Sequence, residues 1–299
     1  MRIGTRRSQL ALWQAQHIQE LLQAQHQTAD LIFFTTQGDQ ILDKPLPEIG
    51  GKGLFTLELE NALRDGDIDL AVHSLKDLPT EIPEGFTLGA IPRRASPFDA
   101  LVSRNGQPLS ELPSGAVIGT SSLRRTAQLK AYRPDLTIKM IRGNVDTRLR
   151  KVFEGEYDAA VLAAAGLDRL EKSGVITEIF EPDRMLPAPG QGAIAVQCRA
   201  DDFNLRKLLA VLDHAETRAC VMAERAFLQK LDAGCRLPVS AYAALNDGTL
   251  ELTGRVSQID GAKTITVKGR APVQENIQLG TQLAEQALAQ GAGELLAAL

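Results

Sequence analysis

A chain of 299 residues is long enough for two or three domains, each with a substantial core. Hydrophobic residues make up 44% and charged residues 23%, which is typical of a folded globular protein and excludes general disorder. Aromatic residues are only 4% and the net charge is −4, which argues against nucleic-acid binding. No apolar run approaches the ~20 residues that span a membrane, so no membrane partner is expected.

The first residues and the cysteines predict a cytoplasmic protein. A strand-like start leads directly into a helical pattern, without the apolar core of a signal peptide. Three cysteines lack the spacing of a disulfide framework or a zinc site, so neither is expected. No apolar interface stripe is evident, which favours a monomer.

Ser8 can cap a helix that runs to about Gln25, and a strand pattern follows at 31–35. Residues 38–53 combine prolines, glycines and charges without periodicity, which predicts a loop. We interpret this loop as a lid over a site, with simple surface disorder as the alternative. Its glycine and lysine residues lack the spacing of a phosphate-binding loop. A second helix is predicted from about Phe55.

Residues 73–79 follow an apolar run at 68–72 that fits a buried strand of a parallel sheet. The polar residues should therefore emerge at the carboxyl edge, where open α/β sheets bind ligands. Asp77 would then hold a carboxylate against a bound molecule, with Lys76 beside it and Ser74 nearby. A helix cap or turn is the alternative reading of Asp77.

Proline and glycine clusters at 92–97 and 187–192 predict two crossings between a first and a second lobe. Between these crossings, strand patterns alternate with helical patterns in the rhythm of a parallel sheet. The strand patterns are 117–119, 137–141 and 159–162, and the helices are predicted from about Ser122, Asn144 and Gly166. Two such lobes would enclose a cleft.

From about residue 216 the pattern changes to a helix, three strands and an alanine-rich terminal helix, which indicates a third domain. We therefore predict an α/β fold of two lobes with mixed, mainly parallel sheets, plus a smaller α+β C-terminal domain. The predicted bounds are 1–93 with 193–212 for the first domain, 97–187 for the second and 215–299 for the third.

Arginines recur at the predicted strand-to-helix junctions of the second lobe. The chain has 22 arginines and 11 lysines, and arginine suits bidentate contact with carboxylate or phosphate. A cation in the first turn of a helix opposes the helix dipole by about 0.3–1 kcal/mol, so this repetition predicts a bound anion with many carboxylates. A solvated surface charge is the alternative for any single arginine. The residues are Arg124, Arg125, Arg142, Arg148 and Arg169, with the hydroxyls of Thr120, Ser121 and Ser122.

Cys235 lies on a glycine-flanked loop beside Arg236, between a predicted helix and a predicted strand. A thiol in this setting is more available and more easily ionised than a buried one, so it could carry a covalent group. An inert thiol is the alternative. Cys198 and Cys220 fall on strand and helix patterns and are interpreted as structural.

Seven segments of the chain, in order, resemble porphobilinogen deaminases, also called hydroxymethylbilane synthases. They are RxSxLALW from Arg6, GGKGLF from Gly50, VHSLKDL from Val72, GTSSLRR from Gly119, RGNV from Arg142, PGQGA from Pro189 and the Gly-Cys pair ending at Cys235. The resemblance runs from about residue 2 to the C-terminus.

This resemblance implies two lobes similar to those of bacterial periplasmic binding proteins. It also implies a dipyrromethane cofactor, held by Cys235 through a thioether, with the catalytic Asp77 against its pyrrole nitrogens. The implied cofactor contacts are Lys76, Asp77, Ser74, Thr120, Ser122, Arg124, Arg125, Gly143 and Arg148. The implied substrate contacts are Arg6, Ser8, Arg142 and Arg169.

The implied activity is that of a transferase in porphyrin and heme biosynthesis. Four porphobilinogen molecules would lose ammonia and join head to tail on the dipyrromethane, and hydroxymethylbilane would be released. Asp77 would stabilise the positive charge left when ammonia departs. The alternative is a two-lobed binding or sensor protein for an anionic small molecule, which needs the arginines but neither Asp77 nor Cys235.

Overall fold

The computed structural model describes residues 1–40, 54–232 and 237–297. These residues form two compact units, of which one contains 1–95 with 192–218 and the other contains 96–191 with 219–299. The chain passes between them three times, at 95–96 and 191–192 within the two predicted proline- and glycine-rich crossings and again at 218–219. Within the described ranges, no helix is long and apolar enough to cross a membrane.

The strands in chain order are β1 (Arg2–Arg6), β2 (Asp30–Phe34), β3 (Leu70–Ser74), β4 (Phe86–Ala90), β5 (Asp99–Ser103), β6 (Val117–Gly119), β7 (Thr137–Lys139), β8 (Ala159–Ala163), β9 (Glu178–Ile179), β10 (Ile194–Arg199), β11 (Val239–Asn246), β12 (Thr249–Ser257) and β13 (Thr264–Pro272). The helices are α1 (Gln9–Gln23), α2 (Gln37–Gln40), α3 (Leu57–Asp65), α4 (Leu123–Tyr132), α5 (Val145–Phe153), α6 (Ala164–Arg169), α7 (Phe203–Leu209), α8 (Ala215–Lys230), α9 (Asn276–Ala289) and α10 (Ala292–Ala297). Short 3-10 turns connect several of these elements, including Leu75–Asp77 directly after β3.

The first unit is built on a five-stranded sheet of order β2-β1-β3-β10-β4. β1 runs parallel to β2 and β3, whereas β10 runs antiparallel to β3 and β4. Successive side chains of a strand point to opposite faces of a sheet. Leu70 and Val72 therefore pack in one core with Ile18 of α1, while Ala71 packs with Leu63 of α3 in another. Covering both faces with helices buries the middle of β3 and leaves its carboxyl end to carry polar residues.

The second unit contains a five-stranded sheet of order β7-β6-β8-β5-β9 and a separate three-stranded antiparallel sheet, β11-β12-β13. β6 is parallel to β7 and β8, and β5 is antiparallel to β8 and β9. The smaller sheet packs against α8 and α9 through Phe227 and Leu283. Gly254 of β12 is needed there, because a Cβ at that position would lie 2.4 Å from the Phe227 ring.

The predicted α/β class with two mixed sheets and a smaller C-terminal sheet is confirmed. Most predicted strands and helices are found within two residues of their expected bounds. The helix predicted from about Gly166 begins at Ala164, which is also within two residues. β5 was not predicted, because it opens on a charged residue. The division into three domains stays a prediction.

The lid hypothesis concerned residues 38–53, most of which lie outside the described residues. Residues 37–40 form the short helix α2 rather than loop. The backbone N–H of Gly38 donates to the carbonyl of Leu54 at 2.9 Å, which ties the two ends of this segment together.

Candidate functional site

Polar residues follow two neighbouring parallel strands of the first unit. β1 and β3 pair in parallel, so their carboxyl ends lie at the same edge of the sheet. Arg6 ends β1 and Ser8 follows it, while Ser74 ends β3 and is followed by the turn that carries Asp77. The sequence prediction that Asp77 emerges at the carboxyl edge of a buried strand is confirmed.

A cavity of about 80 Å³ opens at this edge. Asp77 is exposed, whereas the other polar residues of the wall are partly or fully buried. The cavity brings together four of the predicted site residues, Arg6, Ser8, Ser74 and Asp77, and its wall does not include Lys76. The complete lining is Arg6, Ser8, Leu10, Ala11, Gln14, Phe55, Thr56, Val72, His73, Ser74 and Asp77.

The guanidinium of Arg6 is positioned by an aromatic ring. Its Cζ atom lies 4.3 Å from the centroid of the Phe55 ring, in a cation–π arrangement. Stacking on the ring fixes the plane of the guanidinium at the wall of the cavity. The cavity thus combines one positive and one negative side chain.

Two hydrogen bonds between residues close in the sequence fix the start of α1. The Ser8 Oγ accepts the backbone N–H of Ala11 at 3.3 Å, so the predicted cap is confirmed. The Thr5 hydroxyl donates to the Ala11 carbonyl at 3.0 Å from the preceding strand. These bonds set the position of the helix that forms one wall of the cavity.

Sequence reasoning missed Gln14, which is buried on the core-facing side of α1. Its Nε2 donates to the Ser74 Oγ at 2.8 Å. Because the Ser74 oxygen accepts this bond, its own hydrogen remains to be donated elsewhere. The available signal was a polar residue inside the apolar stripe of a helix.

In the second unit, the predicted hydroxyls organise the loop between β6 and α4. The Thr120 Oγ1 accepts the Ser122 N–H at 3.2 Å, and the Ser122 Oγ caps α4 by accepting the Arg125 N–H at 3.4 Å. The Ser121 hydroxyl donates to the Ile141 carbonyl at 2.6 Å. These bonds hold the helix start in place without any ligand.

Arg124 and Arg125 lie in the first turn of α4 as predicted, but the anion opposite them belongs to the chain itself. Arg124 Nη1 is 2.6 Å from Asp99 Oδ2, and Arg125 Nη2 is 2.6 Å from Asp99 Oδ1. Asp99 is fully buried at the start of β5, and both arginines are buried with it. Gln191 also donates to Asp99, at 3.0 Å. The inference that these two cations require a bound ligand is therefore corrected, because Asp99 neutralises much of their charge.

The electrostatics of this group follow from burial and pairing. Burial alone would raise the pKa of Asp99, but the two arginines outweigh it and hold that pKa well below its usual range. Burial lowers the pKa of Arg125, and Asp99 opposes this change. The Asp99 carboxylate is thus held in its charged form at neutral pH.

Gly143 occupies a backbone conformation that favours glycine, with φ of +112°. A Cβ there would lie 2.7 Å from the Cγ2 of Thr147. The Gly143 carbonyl accepts a hydrogen bond from Arg148 Nε at 2.8 Å, and Asn144 caps α5. Arg142 directly precedes this turn and is half-buried.

The placement of Arg169 in a helix's first turn is wrong, because Arg169 is the last residue of α6. A cation at that end agrees with the helix dipole instead of opposing it. The side chain is buried, and burial lowers its pKa to about 10 while Asp168 partly opposes this.

Residues 233–236, including Cys235, lie outside the described residues, so the anchoring thiol stays a prediction. Cys198 and Cys220 are buried, as expected for structural thiols. Burial raises the pKa of Cys198 to about 11, which suppresses its thiolate.

Two family models match the chain in sequence order. The model described as "Porphobilinogen deaminase, dipyromethane cofactor binding domain" matches residues 1–207. The model described as "Porphobilinogen deaminase, C-terminal domain" matches residues 218–289. Together they cover most of both compact units.

Several curated relatives are similar over nearly their full length. The porphobilinogen deaminase of Chromobacterium violaceum is 52% identical over 299 residues, covering 99% of this chain and 97% of that protein. That of Brevibacillus brevis is 50% identical and covers 99% and 96%. That of Roseiflexus sp. is 52% identical over 297 residues and covers 99% and 98%.

The solved structures that match this chain include a nutrient binding protein from Burkholderia cenocepacia bound to methionine, with a TM-score of 0.45 and 15% identity over 70% of this chain and 89% of that one. A periplasmic substrate-binding protein of an ABC transporter from Coxiella burnetii also has a TM-score of 0.45, with 15% identity over 89% of this chain and 100% of that one.

The two matching family models and the near-full-length relatives at about 50% identity show that this chain belongs to the porphobilinogen deaminase family.

Proposed function

We propose that this chain deaminates four porphobilinogen molecules and joins them head to tail on a covalently bound dipyrromethane. The product would be hydroxymethylbilane, the linear precursor for tetrapyrrole biosynthesis. The observation that carries the proposal is the exposed Asp77 on a cavity shared with Arg6, at the carboxyl edge of two parallel strands. Family membership supports the choice of substrate.

The donor set of the cavity matches the chemistry of a pyrrole that carries carboxylates. The Arg6 guanidinium offers N–H groups to a carboxylate, and the Ser74 hydroxyl can donate a hydrogen because its oxygen accepts from Gln14. Asp77 offers an acceptor for a pyrrole N–H. Leu10 and Phe55 supply apolar surface against which a ring can pack.

Asp77 would act where charge develops during the reaction. Departure of ammonia from the aminomethyl group of porphobilinogen leaves a positive charge on the pyrrole, and a carboxylate in contact with the ring nitrogen stabilises that charge. The same carboxylate can accept a proton when the new bond forms and aromaticity returns. Arg6 and Ser8 would orient the substrate by its carboxylates.

Most of the residues that would hold the cofactor offer N–H or O–H donors, which suit a ligand with many carboxylates, and Asp77 offers an acceptor for its ring N–H groups. We propose that Cys235 anchors it and that Lys76, Asp77, Ser74, Thr120, Ser122, Arg124, Arg125, Gly143 and Arg148 contact it. When bound, the dipyrromethane supplies the nucleophilic pyrrole carbon to which substrate units are added. Since Arg124 and Arg125 already donate to Asp99, each would contact a ligand only through its remaining N–H groups. Arg142 and Arg169 are proposed as further substrate contacts.

The decisive variant is Asp77→Asn, which keeps the shape of an exposed side chain and removes its charge. We expect the rate of hydroxymethylbilane formation to fall by about 10²–10⁴-fold, the usual contribution of a positioned acid or base. The unfolding transition of the variant and the mass added by its attached dipyrromethane should be the same as in the wild-type protein.

Glu84→Gln is the matched control, because Glu84 is an exposed carboxylate of the same unit outside the cavity. It should retain normal turnover. Near-normal turnover of Asp77→Asn would contradict the proposed role of Asp77.

We also carry forward the sequence-based expectations of a cytoplasmic monomer that does not bind nucleic acid. Size-exclusion chromatography with light scattering tests the monomeric state. The expected result is a single species with the mass of one chain. A stable dimer would overturn this part of the proposal without affecting the chemistry.

A further inference from the structure

His73 lines the same cavity as Asp77, yet it is buried, with only 6% of its surface exposed. It belongs to β3, and its strand neighbour in β10 is Ala195. The chemistry proposed above gives this imidazole no role. A buried titratable group in the wall of an ionic cavity calls for an explanation.

A chain of hydrogen bonds fixes the protonation pattern of His73. Its Nε2 lies 3.1 Å from the Gln197 Oε1, and the Gln197 Nε2 donates to the Glu60 Oε1 at 3.3 Å. Because a carboxylate only accepts, the Gln197 amide must turn its nitrogen to Glu60 and its oxygen to His73. That oxygen can only accept, so the proton of the neutral ring lies on Nε2 and Nδ1 is an acceptor.

The surroundings keep this ring uncharged. Burial lowers the pKa of His73 to about 4, Arg6 acts in the same direction, and the hydrogen bond to Gln197 partly opposes them. The charged groups around the ring are Arg6 from β1, Asp77 after β3 and Glu60 from α3, which reaches it through Gln197 of β10. Glu60 and Gln197 are themselves buried.

We propose that Glu60, Gln197 and His73 form a positioning chain that holds a neutral Nε2–H imidazole in the wall of the Asp77 cavity. This inference rests on the proposed function of Asp77. An imidazolium at this position would attract the Asp77 carboxylate and repel the cationic pyrrole formed when ammonia leaves. Keeping the ring neutral leaves the charge of Asp77 for the ligand.

The first test reads the tautomer directly in the intact cofactor-loaded protein. The chain has four histidines, so ¹⁵N-histidine labelling gives few signals, and the His73→Gln variant identifies those of residue 73. We expect the Nε2–H pattern to persist from about pH 8 to about pH 5. An Nδ1–H pattern, or protonation with a pKa near 6.5, would overturn the proposal.

The second test moves the carboxylate one step along the chain. The double variant Glu60→Gln with Gln197→Glu exchanges the two side chains between the two positions. The negative charge then adjoins His73 and should stabilise the imidazolium. We expect ¹⁵N signals of a protonated ring near neutral pH. In the pH profile of kcat, the acidic limb should shift to higher pH by about one unit or more. KM should change by less than roughly threefold.

The single variant Glu60→Gln serves as the reference, since it removes the carboxylate without placing one beside His73. Its ring should stay neutral in the ¹⁵N spectrum. A neutral ring in the double variant would show that the chain does not control the charge. A protonated ring with an unshifted kcat profile would show that the charge does not matter to turnover.

The spectroscopic readout does not depend on catalysis. If the wild-type protein formed no hydroxymethylbilane, the proposed function would fail while the tautomer result could still hold. If turnover were normal and the ring were protonated, only the positioning chain would be overturned. If the double variant did not fold, the wild-type spectrum alone would still decide between the two tautomers.

Discussion

Asp99 balances the charge of two arginines in the first turn of α4. It is fully buried between Arg124 and Arg125, with Nη–Oδ distances of 2.6 Å to each. Removing one partner from such a group leaves buried charges without compensation, which costs far more than the net contribution of an intact pair. The arrangement is therefore sensitive to a change that barely alters shape.

We predict that Asp99→Asn lowers the free energy of unfolding by about 3–5 kcal/mol near neutral pH, measured by urea denaturation. Glu154→Gln is the control, because it breaks an exposed pair with Arg150 on α5 and should cost at most about 0.5 kcal/mol. Equal effects of the two substitutions would contradict the account of Asp99.

His73 gives a second residue-scale prediction, on the pH dependence of stability. Its pKa is about 4 when folded and 6.5 ordinarily, so the unfolded chain binds the proton more readily. The neutral ring therefore contributes about 3 kcal/mol to the free energy of unfolding. This contribution is complete above pH 6.5 and is lost as the pH falls toward the pKa of the folded state.

The wild-type protein should therefore lose stability between pH 6.5 and about 4 more steeply than the His73→Gln variant. Urea titrations at several pH values measure the difference between the two curves. Parallel curves across this interval would mean that His73 is not held neutral by the fold.

At this scale the sequence predicts residues whose role is local and misses those whose partners are distant. Asp77 and Ser8 could be placed because the adjoining strand and helix patterns position them. Asp99 could not, since its partners lie 25 and 26 residues away. The signal was present, however, as a lone carboxylate opening the apolar run of β5.

Among the elements, the turn before α5 is the most constrained by its backbone. Gly143 has a φ of +112°, and a Cβ there would lie 2.7 Å from Thr147. We predict that Gly143→Ala lowers the free energy of unfolding by about 1–3 kcal/mol and displaces Arg148, whose Nε donates to the Gly143 carbonyl.

Gly174→Ala is the matched control in the same unit. A Cβ there would meet no heavy atom within 4 Å, and its φ is not in the left-handed region. Urea denaturation should show an effect near zero for this variant. A cost at Gly174 as large as that at Gly143 would contradict the steric explanation.

Element types follow from the sequence more readily than their pairing. The apolar runs at β6 and β8 predicted strands correctly because each is short and bounded by turn residues. The antiparallel pairing of β5 with β8 has no local signature, since it depends on the path of the whole chain. Arg169 was assigned to the first turn of a helix because alanine fits both the end of β8 and the start of a helix, whereas α6 begins at Ala164 and ends at Arg169.

For the whole molecule, the two compact units divide the proposed chemistry between them. The first supplies the Asp77 cavity, and the second supplies the arginine-rich turns after β6 and β7. Two of the motifs, VHSLKDL and GTSSLRR, continue from the ends of β3 and β6, which is where the sequence placed their polar residues. The sequence could not predict that Asp99 satisfies two of the arginines, because this depends on how β5 and α4 pack.

The proposed activity depends on a pyrrole chain held covalently by this polypeptide. The proposed anchor is Cys235, and the two buried thiols Cys198 and Cys220 offer internal controls. Burial makes Cys198 a poor nucleophile, so Cys198→Ser should leave the attachment unchanged.

The most direct measurement is the intact mass of the denatured protein after incubation with porphobilinogen. We predict that the wild-type and Cys198→Ser proteins carry the added mass of two pyrrole units and that Cys235→Ser has the mass of the bare chain. A bare wild-type chain, or the same adduct on Cys235→Ser, would contradict the account.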